Sequence, residues 1–217
     1  MGIPVMIGMV VSAFYSVVDA FFVGKLGTSQ MGAVSVAYPI FNVIIGLGLT
    51  FGTGAGSYMS RLLGAGQGEQ ANRTASTAVF ASLFFGVVAI VVSLYFLDPI
   101  LIAFGATETI LPYAREFAVI YITGSILNIF GVTMNNIVTS EGMAKLTMIA
   151  MVGSGVLNII LNPIFIFSLD LGIRGSAIST VVSQGAAAVF YLWIIGISIL
   201  IISFYNPFIG LLGAMLL

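Results

Sequence analysis

The chain has 217 residues, of which 60% are hydrophobic and 6% are charged, and its mean hydropathy is +1.21. Soluble domains carry about 25% charged residues, so this composition excludes a soluble protein and indicates an integral membrane protein. The chain has no cysteine and no histidine, which excludes disulfides, thiolate metal sites and the ordinary catalytic triad. Its net charge of −1 argues against a nucleic-acid partner, because phosphate binding requires clustered Lys and Arg.

Six apolar runs are long enough to cross a membrane as helices, for which about 20 residues suffice. They cover residues 3–24, 33–60, 76–97, 112–138, 146–168 and 175–202. The separators are short, so consecutive helices should be antiparallel neighbours and residues 1–202 should form one all-α bundle. The apolar tail at 203–217 is too short for a seventh span. It is either an interfacial segment or the beginning of a truncated segment, and we favour truncation.

The first run contains a carboxylate, Asp19, which costs on the order of 3 kcal/mol at the centre of a membrane. Ser12, Tyr15, Ser16 and Asp19 are spaced i, i+3, i+4 and i+7, so they share one helix face. Such a face is expected to point into a cavity or the bundle interior. Alternatively, Asp19 is close enough to the helix end at Gly24 to extend to the membrane interface.

The second run is rich in glycine and carries two polar side chains one turn apart, Tyr38 and Asn42. No Gly-Lys-Ser/Thr sequence follows the glycines, so close helix packing explains them better than a phosphate-binding loop. Tyr38 and Asn42 are candidates for the wall of a substrate cavity. In the sixth run Thr180 and Gln184, also one turn apart, form a second polar patch.

The fifth run places Ser154, Asn158 and Asn162 at i, i+4 and i+8, directly before Pro163. Proline cannot donate a backbone hydrogen bond, so it kinks the helix and frees a carbonyl near Asn162. Two amide side chains and a free carbonyl are oxygen ligands suited to a hard cation such as Na⁺. The spacing alone is equally compatible with ordinary hydrogen bonds between helices, worth roughly 0.6 to 2 kcal/mol.

The basic residues do not orient the bundle, because they are divided equally between its two sides. Three lie on the side of the amino terminus and three on the other: Arg61, Arg73 and Lys145, then Lys25, Arg115 and Arg174. No carboxylate pair has the spacing of a glycosidase or metal site. The sequence therefore predicts neither an enzyme nor a bound cofactor.

Several segments resemble those of one transporter family, the multidrug and toxic compound extrusion (MATE) family. They are PVMIGMVVSAFYSVVDAFFVGKLGT, GTGAGSYMSRLLGAGQGEQA, NNIVTSEGMAKLTM, LNIILNPIFIF and LGIRGSAISTVVSQ. The resemblance covers about residues 3–196. It implies a multi-pass protein of the cytoplasmic membrane with a cytoplasmic amino terminus. It also implies a twelve-helix architecture in two six-helix lobes, of which this chain is the amino-terminal one.

By resemblance, the function is H⁺- or Na⁺-coupled antiport that exports organic, often cationic drugs by alternating access. The resemblance also implies a cation and proton site made of Tyr15, Asp19, Asn158, Asn162 and Thr180. Relatives often have Asp at the position of Asn162, where this chain has an amide. The single carboxylate of the site, Asp19, can take one proton or help to hold one Na⁺ together with Asn158 and Asn162. A Na⁺ cage with two carboxylates is not expected.

Two other functions stay open at this point. The first is a flippase of lipids or lipid-linked oligosaccharides, which shares the architecture but needs cavity arginines for phosphate. The second is a non-transporting fragment, because half a transporter lacks the opposing wall of the cleft. That wall would come from a missing carboxyl-terminal lobe or from a second copy of this chain.

Overall fold

A computed structural model describes the backbone of residues 2–215 and, within it, the side chains of residues 6–194. Helices account for all of its regular secondary structure, and no strand occurs among residues 2–215. The helices are α1 (Gly2–Gly24), α2 (Thr28–Gly64), α3 (Gly68–Tyr95), α4 (Leu97–Ala103), α5 (Leu111–Ser140), α6 (Ala144–Pro163), a π-helical turn (Ile164–Ser168) and α7 (Ile173–Met215). Six of the described helices are long and apolar enough to cross a membrane, which confirms the predicted all-α, six-span fold.

Each of the six spanning helices begins before the apolar run that predicted it, although α3 ends at Tyr95, within its run. Two of them, α2 and α3, continue through polar residues at the loop between them, because helical hydrogen bonding does not stop where the hydrocarbon ends. A short helix, α4, fills part of the predicted separator at 98–109. The backbone of α7 continues to Met215, so residues 203–215 of the predicted tail extend the sixth spanning helix.

The centre of the bundle is α5, which packs against α2, α3 and α7. Two glycines of α2 allow its backbone to approach that of α5 closely. A methyl group on Gly48 would lie 3.3 Å from the carbonyl oxygen of Ile129, and one on Gly52 would lie 3.1 Å from the Cα of Thr133. Gly48 and Gly52 therefore serve close helix packing, as small residues do between membrane helices. By contrast, α1 packs mainly on α6, and α6 packs on α7.

Two ion pairs connect helices on the side of the bundle opposite the amino terminus. Arg115 of α5 pairs with Asp98 of α4, and Arg174 of α7 pairs with Glu116 of α5 at 2.7 Å. All four side chains remain substantially exposed. Exposed pairs of this kind contribute about 0 to 1 kcal/mol each, so apolar packing stabilises the bundle more than they do.

The start of α7 lies unusually close to the π-helical turn. A methyl group on Gly175 would lie 2.6 Å from both the carbonyl carbon and the carbonyl oxygen of Phe165. Neither atom can move without displacing the backbone. Only glycine therefore fits at position 175 without a shift of one segment.

We predict that Gly175→Ala lowers the free energy of unfolding by about 1 to 3 kcal/mol, the usual effect of overpacking. The matched control is Gly153→Ala in α6, where an added methyl group meets no atom within 4 Å. Since alanine favours helices by roughly 0.5 to 1 kcal/mol over glycine, this control should be neutral or stabilising. Thermal unfolding in detergent measures both, and equal melting temperatures for the two variants would contradict the close approach.

Candidate functional site

The Asp19 side chain turns into the bundle and receives hydrogen bonds from two other helices. Its Oδ1 accepts from Asn162 Nδ2 of α6 at 2.5 Å and from Ser176 Oγ of α7 at 2.7 Å. Both donor residues are fully buried. Hydrogen bonds to a carboxylate are roughly twice as strong as neutral ones, so these contacts compensate part of the cost of the charge. Asp19 thus points toward α6 and α7, not along α1 toward the membrane interface.

A second layer of hydrogen bonds holds the two asparagines of α6 against α7. Ser179 Oγ donates to Asn162 Oδ1 at 3.1 Å, and Asn158 Nδ2 donates to Thr180 Oγ1 at 3.3 Å. Thr180 Oγ1 in turn donates to the carbonyl oxygen of Ser176 at 3.0 Å. Asp19 is therefore bonded directly to Asn162, whereas Asn158 and Thr180 are linked to it through the first turns of α7.

One oxygen in this layer has no hydrogen-bond partner among the described residues. It is Asn158 Oδ1, which is buried on a side chain only 2% exposed. A buried acceptor without a donor costs about 1 to 3 kcal/mol, so such an atom indicates a water or an ion that satisfies it. One carboxylate with amide and hydroxyl oxygens nearby is a donor set that fits a hard monovalent cation. Within the described chain, no group of three or more acidic side chains could hold a metal ion.

The local sequence explains why the site forms where α6 ends. The i, i+4 spacing puts Asn158 and Asn162 on one face, and Pro163 cannot donate to the carbonyl four residues before it. The backbone widens there into the π-helical turn, in which Leu169 N donates to Ile164 O at 2.9 Å. π-Helical turns of this kind occur frequently at functional sites.

A cavity of about 290 Å³ lies among α1, α2, α5, α6 and α7. Its polar lining consists of amide, hydroxyl and phenol side chains: Ser12, Tyr15, Asn128, Asn135, Asn136, Ser154, Gln184 and Tyr191. Methionines and aliphatic side chains complete the wall, and no charged residue of the described chain lines it. Tyr15 is one turn before Asp19 on α1, so α1 contributes to both the cavity and the carboxylate site.

The structure separates the predicted cavity residues into two groups. Tyr15 and Gln184 line the cavity. Tyr38 and Asn42 do not, because they lie on an exposed face of α2, where Asn42 Nδ2 donates to the carbonyl of Tyr38 at 3.2 Å.

Sequence reasoning missed three participants. Ser176 and Ser179 bind Asp19 and Asn162, and they belong to a stripe of small polar residues that begins α7 and includes Thr180. The i, i+3 and i+4 spacing of these hydroxyls was the available signal. The third is Tyr121 of α5, which stacks on Phe41 with ring centroids 3.8 Å apart and lies beside Gln184 of the cavity wall. Its immediate neighbours in sequence, Ile120 and Ile122, are apolar and gave no such signal.

Comparisons with known proteins agree on one family. A family model described as MatE matches residues 4–164. The multidrug export protein MepA of Staphylococcus aureus (strain MSSA476) is 35% identical over 192 residues, which are 88% of this chain and 42% of that protein. MepA of Staphylococcus saprophyticus is 34% identical over 191 residues, with the same coverage.

A solved structure of a multidrug resistance MATE family transporter of the MOP superfamily, in an outward-facing conformation, superposes on the chain with a TM-score of 0.84. It shares 34% identity, over 88% of this chain and 42% of that one. The chain thus spans less than half the length of the relatives it matches, as one lobe of such a transporter does.

We predict that Ser176→Ala destabilises the protein by about 1.5 to 3 kcal/mol, the usual contribution of a hydrogen bond to a charged group. The control is Ser183→Ala, since Ser183 is equally buried but donates only to the carbonyl of Ser179 on its own helix. A double-mutant cycle with Asp19→Asn, followed by thermal unfolding in detergent, isolates the interaction. Additive effects of Ser176→Ala and Asp19→Asn would contradict the contact.

Proposed function

This chain belongs to the MatE family, and we propose from that premise that it is one lobe of a cation-coupled drug antiporter. The whole transporter would export organic, often cationic compounds across the cytoplasmic membrane by alternating access, with the amino terminus in the cytoplasm. H⁺ or Na⁺ would move in the opposite direction. A missing carboxyl-terminal lobe or a second copy of this chain would supply the opposing wall. One observation carries the proposal: a carboxylate within a spanning helix, Asp19, is held by two buried donors from other helices.

Coupling between the cation and the drug depends on the charge of Asp19. With the charge present, Asn162 and Ser176 make strong hydrogen bonds that tie α1 to α6 and α7. Binding of H⁺ or Na⁺ neutralises the carboxylate and weakens these bonds toward the strength of neutral ones. A change of about 1.4 kcal/mol alters a two-state equilibrium tenfold, so loss of part of this interaction is enough to favour a second position of α1.

The substrate cavity is linked to Asp19 because Tyr15, which lines the cavity, is on the same helix as Asp19. A shift of α1 would move Tyr15 and Ser12, and therefore change the shape of the cavity that they line. The cavity volume of about 290 Å³ is close to the lower end of the range for drug-sized ligands, roughly 300 to 1,000 Å³. Neutral amides and phenols beside methionines suit amphipathic compounds of varied shape.

The flippase alternative receives no support from the cavity. A lipid phosphate would require Arg or Lys on the cavity wall, and none of the described lining residues is basic. The described arginines lie at helix ends and loops, as Arg115 and Arg174 do in their exposed ion pairs.

We predict that Asp19→Asn abolishes the effect of cations on drug binding and transport. For the wild-type chain in detergent, lowering the pH or adding Na⁺ should weaken binding of a fluorescent organic cation at least tenfold. In Asp19→Asn neither change should alter that affinity by more than about twofold, because the residue can no longer exchange a charge. Fluorescence titration measures this equilibrium without requiring the second lobe.

Transport is tested with the same variants in proteoliposomes that contain the complete two-lobed assembly, with the Na⁺ and pH gradients imposed separately. Glu108→Gln is the control, since Glu108 is an exposed carboxylate in a loop. Drug efflux by Asp19→Asn at the wild-type rate would contradict the coupling role. The gradient that drives wild-type efflux identifies the coupling ion.

A further inference from the structure

A groove of about 450 Å³ lies between α2 and α3, and it shares no lining residue with the cavity beside Asp19. Its floor consists of small residues: Gly54, Ala55, Ala78 and Ala81. A methyl group on Gly54 would meet no atom within 4 Å, so the depth of the groove depends on that glycine. At one end it is bounded by Phe51, which stacks on Phe85 with ring centroids 5.5 Å apart.

The three threonines in the wall leave the groove largely apolar. Thr50, Thr74 and Thr77 each donate their hydroxyl proton to a carbonyl one turn earlier in their own helix, at 2.7 or 2.8 Å. These protons are therefore not available to a ligand. The wall offers mainly methyl groups, glycine Cα atoms and an aromatic ring, which is a surface suited to hydrocarbon.

A guanidinium lies at the other end of the groove. Arg73 is five residues into α3, about 8 Å from the helix start, and the groove runs from there to Ala81, about 12 Å further along the helix. Arg73 pairs with Glu69 at 2.8 Å, and both side chains are about 80% exposed. An exposed i, i+4 pair is worth only about 0.3 to 0.5 kcal/mol, so a phosphate can replace or share that partner.

We propose that this groove binds an anionic phospholipid, with its phosphate on Arg73 and an acyl chain over Gly54 and Ala78. Arg73 precedes the apolar run at 76–97, whereas Ala78 and Ala81 of the groove floor lie within it. This order of charge and then apolar surface matches the headgroup and acyl chain of a phospholipid. A protein helix in the same place would have to cover the Arg73–Glu69 pair and remove it from water, at a cost that a lipid headgroup avoids. The proposal does not depend on transport activity.

Native mass spectrometry of the purified 217-residue chain tests the site, with phosphatidylglycerol and phosphatidylcholine as probes. Arg73→Gln should lower the affinity for phosphatidylglycerol about tenfold and leave that for phosphatidylcholine within twofold. Gly54→Leu fills the groove and should lower both affinities about tenfold. The controls are Lys145→Gln, a basic residue on the same side of the bundle, and Gly153→Leu, another glycine whose added side chain meets open space. Thermal unfolding shows whether each variant remains folded.

Three results would overturn the proposal. Equal losses of phosphatidylglycerol binding in Arg73→Gln and Lys145→Gln would show that basic side chains in general attract the lipid, and not Arg73 in particular. Unchanged lipid binding by Gly54→Leu would show that the groove is not the site. Displacement of phosphatidylglycerol by millimolar glycerol phosphate would show an anion site that does not use the acyl chain.

Discussion

The arrangement of this bundle depends on one constraint, the presence of a carboxylate within a membrane-spanning helix. Asp19 costs several kcal/mol in hydrocarbon unless other groups compensate its charge. The compensating donors, Asn162 and Ser176, come from α6 and α7, so the same contacts that make the charge tolerable also determine where α1 packs. On the proposed mechanism, a change of charge at this carboxylate is thereby connected to the position of a whole helix.

Among the described spanning helices, α1 is the one that packs mainly on a single neighbour. The frame consists of α5 with α2, α3 and α7 around it, and backbones approach closely at Gly48 and Gly52. In contrast, α1 packs mainly on α6 and touches α2 and α7 little. On the proposed mechanism, the polar contacts of Asp19 are a large part of what fixes α1 against α7. Their loss would therefore move α1, and with it the Tyr15 wall of the cavity, before it disturbed the frame.

The six spans were predictable because their apolar runs exceed the length that a membrane requires and the separators are short. The inward orientation of Asp19 and the shared face of Asn158 and Asn162 were also predictable, since helical spacing and the cost of charge in hydrocarbon leave few alternatives. The choice of hydrogen-bond partners for Asp19 was not predictable. Hydroxyls occur on every spanning helix, and most of them bond to their own backbone, so nothing in the sequence distinguished Ser176 from Ser183. The exposure of Tyr38 and Asn42 depends on the rotation of α2, whose apolar residues surround it too evenly to indicate a buried face.

On the proposed mechanism, the charge state of Asp19 sets the position of α1. Double electron–electron resonance tests it directly, with spin labels at Lys25, after α1, and at Glu108, in the loop before α5 on the same side of the bundle. In the wild-type chain, lowering the pH or adding Na⁺ should shift the distance distribution between the labels, and Asp19→Asn should give one distribution under all conditions, similar to the cation-loaded wild type. Equal cation-dependent shifts of the distance distribution in the wild type and in Asp19→Asn would contradict this mechanism.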